Sequence, residues 1–407
     1  MDNHTIIPQQ LRVGLYVHLD IPWMEHPFFT NSFKIKDENQ INTLLRLRLS
    51  SLRYEPGRSD CAPLPRPAIL PIPPPEDESA FEDPLWAEKK ARIEYLKEQR
   101  IATHRCENHY TDAVAGIRKL LGSLMADPEG SMTLARDLVS GLSRELSAQD
   151  QITLQLLNIK ERTANTFQHS IHVTMISLLV GRNLALSPLD LQLLGLGALF
   201  HDLGHLKVPT PILRKKESLT SGEKAIYERH PLYGMEIANK LPVFPPDVVE
   251  IIANHHEFID GTGFPRGLRG DRISNWAQVV AIANVYDNYC NRPDPKASLS
   301  PHEAVSLMYS RERGRYHISV LNAFIASLGI YPPGTIVRLT DGRISSVVSI
   351  NKQQLLRPRV LVFDPQIPKT EALILDLSEE DVAIERSLRH QDLSPQVTGY
   401  FNLTERS

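Results

Sequence analysis

Apolar and polar residues alternate at the start of the chain. LRVGLYVHLD (11–20) and NSFKI (31–35) show the two-residue period of half-buried strands. DENQINTLLRLRL (37–49) spaces its apolar residues by three and four behind an Asp-Glu start, which predicts a helix, and SLRYEP (51–56) returns to strand. Residues 1–60 read as a small α/β module. CAPLPRPAILPIPPPEDESA (61–80) breaks the pattern. Its prolines lack amide donors and favour extended backbone, so residues 61–83 are predicted to be an exposed, semi-rigid linker.

From residue 84 the period becomes helical. DPLWAEKKARIEYLKEQRIATHR, DAVAGIRKLLGSLM, GSMTLARDLVSGLSRELSA and QDQITLQLLNIKERTANTFQHSIHVTMISLLVGRNLAL carry apolar residues three and four apart. Residues 84–150 are expected to be connecting helices and 151–331 a helical domain. Beyond, PPGTIVRLTDGRISSVVSINKQQLLRPRVLVFD has β-branched runs broken by Asp-Gly and Asn-Lys turns, so 332–407 should be a β-rich module built on a hairpin. The fold class is mainly α, with small sheets at both ends.

Composition narrows the chemistry. The 407 residues are 42% hydrophobic and 23% charged, ordinary for a globular protein of two or three domains. A net charge of −3 supplies no cationic excess for DNA or RNA. The longest apolar run, VTMISLLVG (173–181), is far short of a membrane span, and the N-terminus lacks the pattern of a signal peptide. Cys61, Cys106 and Cys290 are too scattered for a disulfide scaffold. A cytoplasmic protein is expected.

Histidines fall where helices would turn them inward. His169 lies in TFQHSIHVTMISLL, with Val173 and Ile176 at helix-neighbour spacings. His201 and Asp202 follow the nearly all-apolar LQLLGLGALF, so a buried helix delivers them together. His230 precedes Pro231, and His255 and His256 close DVVEIIANHH. A single helical histidine is usually a surface or hydrogen-bonded residue. Five imidazoles buried with a carboxylate point instead to bound cations, and that donor set suits Fe, Mn, Zn, Ni or Co more than Ca or Mg. Asp202 could bridge two ions while His201 serves one. His4, His18, His26, His104, His109, His172, His302, His317 and His390 have no comparable setting and read as structural. No suitably placed Ser or Cys nucleophile is evident.

ALFHDLGHLKVP, RKKESLTSGEKAIYERHPLYG and HHEFIDGTGFPRGLRGDRI, in this order and spacing, resemble the HD-GYP branch of the HD metal-dependent phosphohydrolases. The likeness runs through 165–330, and the opening LRVGLYVHLDIPWMEHPFFTNSFKI resembles the accessory domain often found ahead of such a unit. The resemblance implies an HD-type helical bundle that hydrolyses cyclic di-GMP to pGpG or GMP. It implies two divalent transition-metal ions, Fe or Mn foremost, held by His169, His201, Asp202, His230, His255, His256 and the position of Asn284. Asp202 and His205 would take part in catalysis; Gly261, Gly263, Phe264, Pro265 and Arg292 would meet the substrate. A diguanylate cyclase is the docking partner under a binding-module reading, and the N-terminal module or the charged helix WAEKKARIEYLKEQR offers a contact for a second copy of the chain.

Several positions depart from that pattern. Asn284 replaces an aspartate, with Asp287 one turn on as a possible substitute. His205 replaces a lysine, Phe264 a tyrosine, and Asp294 and Pro295 a tyrosine and a basic residue. Lys207 should point elsewhere. Asn165 stands where a third metal would call for glutamate. These departures leave a cyclic di-GMP-binding or protein-docking module with weak or no catalysis as the alternative, and hydrolysis of another phosphoester as a third reading. Trp23, Phe28 and Phe29 are read as packing residues.

Overall fold

The structure is a computed structural model that describes residues 4–28, 30–66, 84–158, 166–215, 217–292, 294–389 and 392–401. Phe29, Asn165, His390 and most of the proline-rich segment lie outside these residues. The chain forms two compact units: residues 1–98 with 364–373, and residues 99–363 with 374–407.

In the first unit β1 (His4–Ile6), β2 (Tyr16–His18), β3 (Ser32–Lys34) and β4 (Leu52–Tyr54) form an antiparallel sheet in the order β1-β4-β2-β3. Helix α1 (Glu38–Arg46) starts on Asp37, whose carboxylate accepts from the amide of Gln40 at 2.9 Å, as the acidic start predicts. Alternation along LRVGLYVHLD buries Leu11, Leu15, Val17 and Leu19 together with Phe28, Ile35, Leu44 and Leu52. Helix α2 (Pro84–Ser123) begins in this unit. Its Lys89 is buried, donating to the carbonyls of Trp23 at 2.6 Å and His26 at 2.7 Å, with the ammonium 3.3 Å from the centre of the Trp23 ring. That charged stretch is therefore not solvated on every face.

His26 is fully buried. Asn31 donates to the Ile21 carbonyl, so its amide oxygen accepts from His26 Nε2 at 3.2 Å, while Nδ1 has no partner among the described residues. A second proton would sit on Nδ1 with no acceptor. Burial pushes the imidazole down to about 4, against the Asn31 bond and helped by Lys89. The unfolded chain thus binds the extra proton from about pH 6.5 downward and the folded chain only near pH 4. Stability of this unit should be unaffected above pH 6.5 and fall by on the order of 3 kcal/mol by pH 4. Urea midpoints followed by tryptophan fluorescence check this, and His26→Phe should flatten the profile.

The second unit holds the rest of α2 and α3 (Pro128–Asn158), α4 (Thr166–Asn183), α5 (Pro188–Phe200), α6 (Thr210–Leu213), α7 (Ser221–Tyr227), α8 (His230–Asn239), α9 (Pro246–Asn254), α10 (Asn275–Cys290), α11 (Pro301–Ser310) and α12 (Ile318–Leu328). Helices α4, α5, α9, α10 and α12 pack around one core that includes Ile176, Leu196, Phe200, Ile251, Val280 and Phe324. The two patterned stretches read ahead of α3 fuse into one 40-residue helix, because HRCENHYT has no Gly or Pro to stop it.

The C-terminal hairpin grows into a five-stranded antiparallel sheet. β5 (Ile336–Leu339), β6 (Ile344–Ser349), β7 (Arg359–Val362), β8 (Ile374–Asp376) and β9 (Ile384–Leu388) take the order β8-β7-β6-β5-β9, followed by α13 (Pro395–Phe401). β5 and β6 pair Val337 with Ser345 around the Asp341-Gly342 turn. No helix among the described residues is long and apolar enough to cross a membrane.

Candidate metal centre

Helix α5 is almost wholly apolar after its first turn and is buried from Leu194 to Phe200, so its end carries His201 into the interior. The chain then tightens into a 3-10 turn, Leu203–Lys207, which lies directly on the start of α8. Gly204 makes this possible. A Cβ there would stand 1.8 Å from the carbonyl oxygen of His230 and 2.6 Å from the nitrogen of Gly234. Gly197 serves the same purpose on α5, where a Cβ would meet Ile251 of α9 at 2.4 Å. Small residues thus let three segments approach closely enough for their histidines to converge.

Two groups result, and Asp202 belongs to both. His230, His255 and His256 with Asp202 form one; His169 and His201 with Asp202 form the other, each with ligand atoms within 4.8 Å of one another. Asp202 Oδ1 lies 3.3 Å from His230 Nε2 and 3.7 Å from His255 Nε2. Oδ2 lies 3.3 Å from His201 Nε2 and 3.9 Å from His169 Nε2. Each carboxylate oxygen faces its own pocket.

The outer ring nitrogens fix which nitrogens face inward. Nδ1 of His201, His230 and His255 lies 2.7, 2.9 and 2.8 Å from the carbonyls of Ala198, Tyr227 and Ile252. A carbonyl only accepts, so these nitrogens carry the protons and the neutral rings present Nε2 lone pairs to the centre. His230 Nε2 and His255 Nε2 then stand 3.1 Å apart, and His201 Nε2 and His169 Nε2 3.3 Å apart. Facing lone pairs at such distances repel unless a cation or an added proton lies between them. Burial, reinforced by neighbouring imidazoles, holds His255 and His256 well below the ordinary imidazole range, which disfavours a proton in that pocket. Burial also lowers His169, but Asp287 and Asp202 outweigh it and raise that imidazole, so a proton competes with a cation at the His169–His201 pair. Burial pushes the Asp202 carboxyl up, but His201 and His205 outweigh it and hold it well below its usual range. Five imidazoles and one shared carboxylate fit a pair of divalent cations.

The other expected site residues fall into distinct settings. His205 sits beside the cluster, with Nδ1 3.5 Å from Asp202 Oδ2 and its ring 4.5 Å from that of His230; its Nε2 is buried with no partner among the described residues. Burial pushes it down to about 4. Asn284 is buried on α10 in hydrogen-bonding reach of His169, and its amide oxygen accepts from Asn288 at 2.7 Å. Lys207 turns away to Glu236 at 2.7 Å. Asp287 does not substitute as a ligand: Oδ2 accepts from His169 Nδ1 at 2.6 Å and Oδ1 from His172 Nδ1 at 2.8 Å. His172, assigned to structure alone, therefore supports the centre. The signal was its position one helical turn from His169, on the same face.

The loop after the histidine doublet is held from below. Buried Glu257 accepts from the amides of Arg266 at 2.7 Å and Leu268 at 2.9 Å. A Cβ on Gly263 would meet the carbonyl oxygen of His256 and the nitrogen of Phe258 at 2.5 Å, and Gly261 has φ +80°. Phe264 stacks on His256 with ring centres 4.3 Å apart, and Pro265 follows it, partly exposed. Arg292 lies two residues beyond α10, its guanidinium 5.5 Å from the Tyr289 ring. Asp294 is exposed, and its carboxylate accepts from the Lys296 amide at 3.0 Å.

A family model for the HD domain matches residues 147–320, and one described as a domain of unknown function (DUF3391) matches residues 4–135. The helical scaffold and its paired His/Asp pockets thus coincide with an HD domain. The chain is 31% identical over 362 residues to the cyclic di-GMP phosphodiesterase PA4108 of Pseudomonas aeruginosa, spanning 87% of this chain and 83% of that one. It belongs to the HD-GYP family, with an N-terminal accessory domain. It is also 32% identical over 150 residues to the 3′3′-cGAMP-specific phosphodiesterase 3 of Vibrio cholerae, covering 37% of this chain and 32% of that one. Among solved structures, Bd1817, a HDG"Y"P protein from Bdellovibrio bacteriovorus, is similar at 20% identity and a TM-score of 0.47, over 79% of this chain and 98% of that one.

Proposed function

We propose that the chain is a metal-dependent phosphodiesterase that hydrolyses cyclic di-GMP to pGpG, GMP or both. The observation that carries this reading is Asp202, whose two oxygens each face a separate set of inward imidazole lone pairs, in a relative of a cyclic di-GMP phosphodiesterase over most of its length. His169 and His201 would hold one ion, His230, His255 and His256 the other, with Asp202 between them and Asn284 at the edge of the first pocket. Bound ions, Fe or Mn foremost and Zn, Ni or Co as alternatives, would acidify a water and offset the charge of the phosphodiester as it is displaced.

The remaining steps fall to this chain's own groups. Neutral His205 offers Nε2, which no group among the described residues satisfies, as a hydrogen-bond or proton partner to the scissile phosphate. Gly261 and Gly263 let the loop backbone approach the substrate, Phe264 keeps His256 oriented by stacking, and Pro265 and Arg292 would bound the nucleotide and its phosphates. We assign this chemistry to residues 151–331. Residues 1–60 and 332–407 are assigned accessory roles around it, with 61–83 as linker and 84–150 as connecting helices. A cytoplasmic setting, a homodimer and a diguanylate cyclase partner suit a second-messenger enzyme.

Turnover tests the reading. Protein purified without oxygen and loaded with Mn²⁺ or Fe²⁺ should convert cyclic di-GMP, with 3′3′-cGAMP as the competing substrate. Tight nucleotide binding without product would make the chain a binding module, and turnover of another phosphoester alone would move the substrate. Asn284→Asp puts a charged oxygen where an amide stands. It should raise metal retention by about 10-fold, measured as metal content after dialysis; no change would remove residue 284 from the pocket.

A further inference from the structure

His169 is tethered differently from its neighbours. His201, His230 and His255 give Nδ1 to a carbonyl three residues back in their own segment, a local bond that persists whatever distant elements do. His169 gives Nδ1 to Asp287 on α10. Asp287 also accepts from His172 Nδ1 and, at 2.7 Å, from Asn291 Nδ2. An ionised carboxylate has no donor, so the His172 proton is on Nδ1 and Nε2 accepts. The hydroxyl of Tyr110 lies 2.9 Å from that Nε2, and the two rings stack with centres 5.7 Å apart. Tyr110 belongs to α2, which carries none of the ligands.

We propose that Tyr110 is a positioning residue for the His169 pocket, acting through His172 and Asp287, and that it leaves the His230–His255 pocket unaffected. The proposal rests on the metal reading of the centre. The Tyr110 hydroxyl enforces the His172 tautomer that donates to Asp287; the other tautomer would turn a lone pair on the carboxylate. With His172 held, Asp287 keeps its second oxygen on His169 Nδ1 and so keeps His169 Nε2 aimed at His201 and Asp202. α2 is one unbroken helix whose residues up to Glu98 cluster with the N-terminal unit. A shift of α2 that strains the Tyr110–His172 bond therefore loosens one ion and not the other.

Mn²⁺ titration of the full-length apo chain, read by paramagnetic resonance, tests this in two backgrounds. His255→Ala retains the His169 pocket; His201→Ala retains the other. Tyr110→Phe should weaken Mn²⁺ about 10-fold in the first background and leave the second unchanged, with an unaltered melting temperature. His172→Gln, which can accept from Tyr110 and donate to Asp287, should keep most of the affinity that His172→Leu loses. Equal weakening in both backgrounds, or none in either, overturns the positioning role and leaves the metal reading intact. Failure of the wild-type chain to bind Mn²⁺ overturns the metal reading, and the proposal with it.

Discussion

Asp202→Ala should empty both pockets and lower phosphodiester turnover by at least about 10³-fold. Among the described residues each of its oxygens is the only carboxylate oxygen grouped with its pocket, 3.3 Å from His230 Nε2 on one side and from His201 Nε2 on the other. Removing both leaves neutral imidazoles around two dications with no anionic charge. Asp202→Asn is more discriminating, because the amide retains one acceptor and presents hydrogens to the other pocket. It should retain at most one ion per chain. Metal content and turnover of the same preparations check both, and an Asp202→Ala protein that keeps two ions would refute the bridging role.

Gly204→Ala carries the second large effect. The added methyl would meet backbone atoms, the His230 carbonyl at 1.8 Å and the Gly234 nitrogen at 2.6 Å, and no side-chain rotation relieves that. Helix α8 must move off the 3-10 turn, taking His230 from Asp202. A loss of at least about 3 kcal/mol in stability is expected, with loss of the ion in the His230 pocket. Gly222→Ala is the control. It lies in α7 with nothing within 4 Å of the added carbon, and should be neutral or slightly stabilising. Thermal melts with and without Mn²⁺ separate the two variants.

The contrast between these residues shows what could be read in advance. LQLLGLGALF is apolar except for Gln192, so it had to be buried, and the His-Asp pair at its end had to come with it. The same logic placed His255 and His256 just past α9. His172 and Asp287 were harder. Their bonds join helices 115 residues apart, and only His172's one-turn spacing from His169 hinted that it shares the inward face. Asp287 reads in the sequence only as a possible substitute for Asn284, because spacing along α10 says which face a residue occupies and nothing about which nitrogen it meets. Gly204 carried no conformational signal; its need for a bare Cα comes from the approach of another helix. The terminal sheet was underestimated because β8 is three residues long and β9 mixes charge into its pattern, IERSL, leaving little alternation to detect.

We attribute the convergence of inward imidazoles from several segments to two cations bound on either side of one carboxylate. Anomalous scattering from a Mn²⁺-loaded crystal addresses it directly. Two peaks are predicted, one between Asp202 Oδ1 and the His230, His255 and His256 rings, the other between Oδ2 and the His169 and His201 rings. Absence of density at both positions, or a single ion bound elsewhere in the chain, would contradict it.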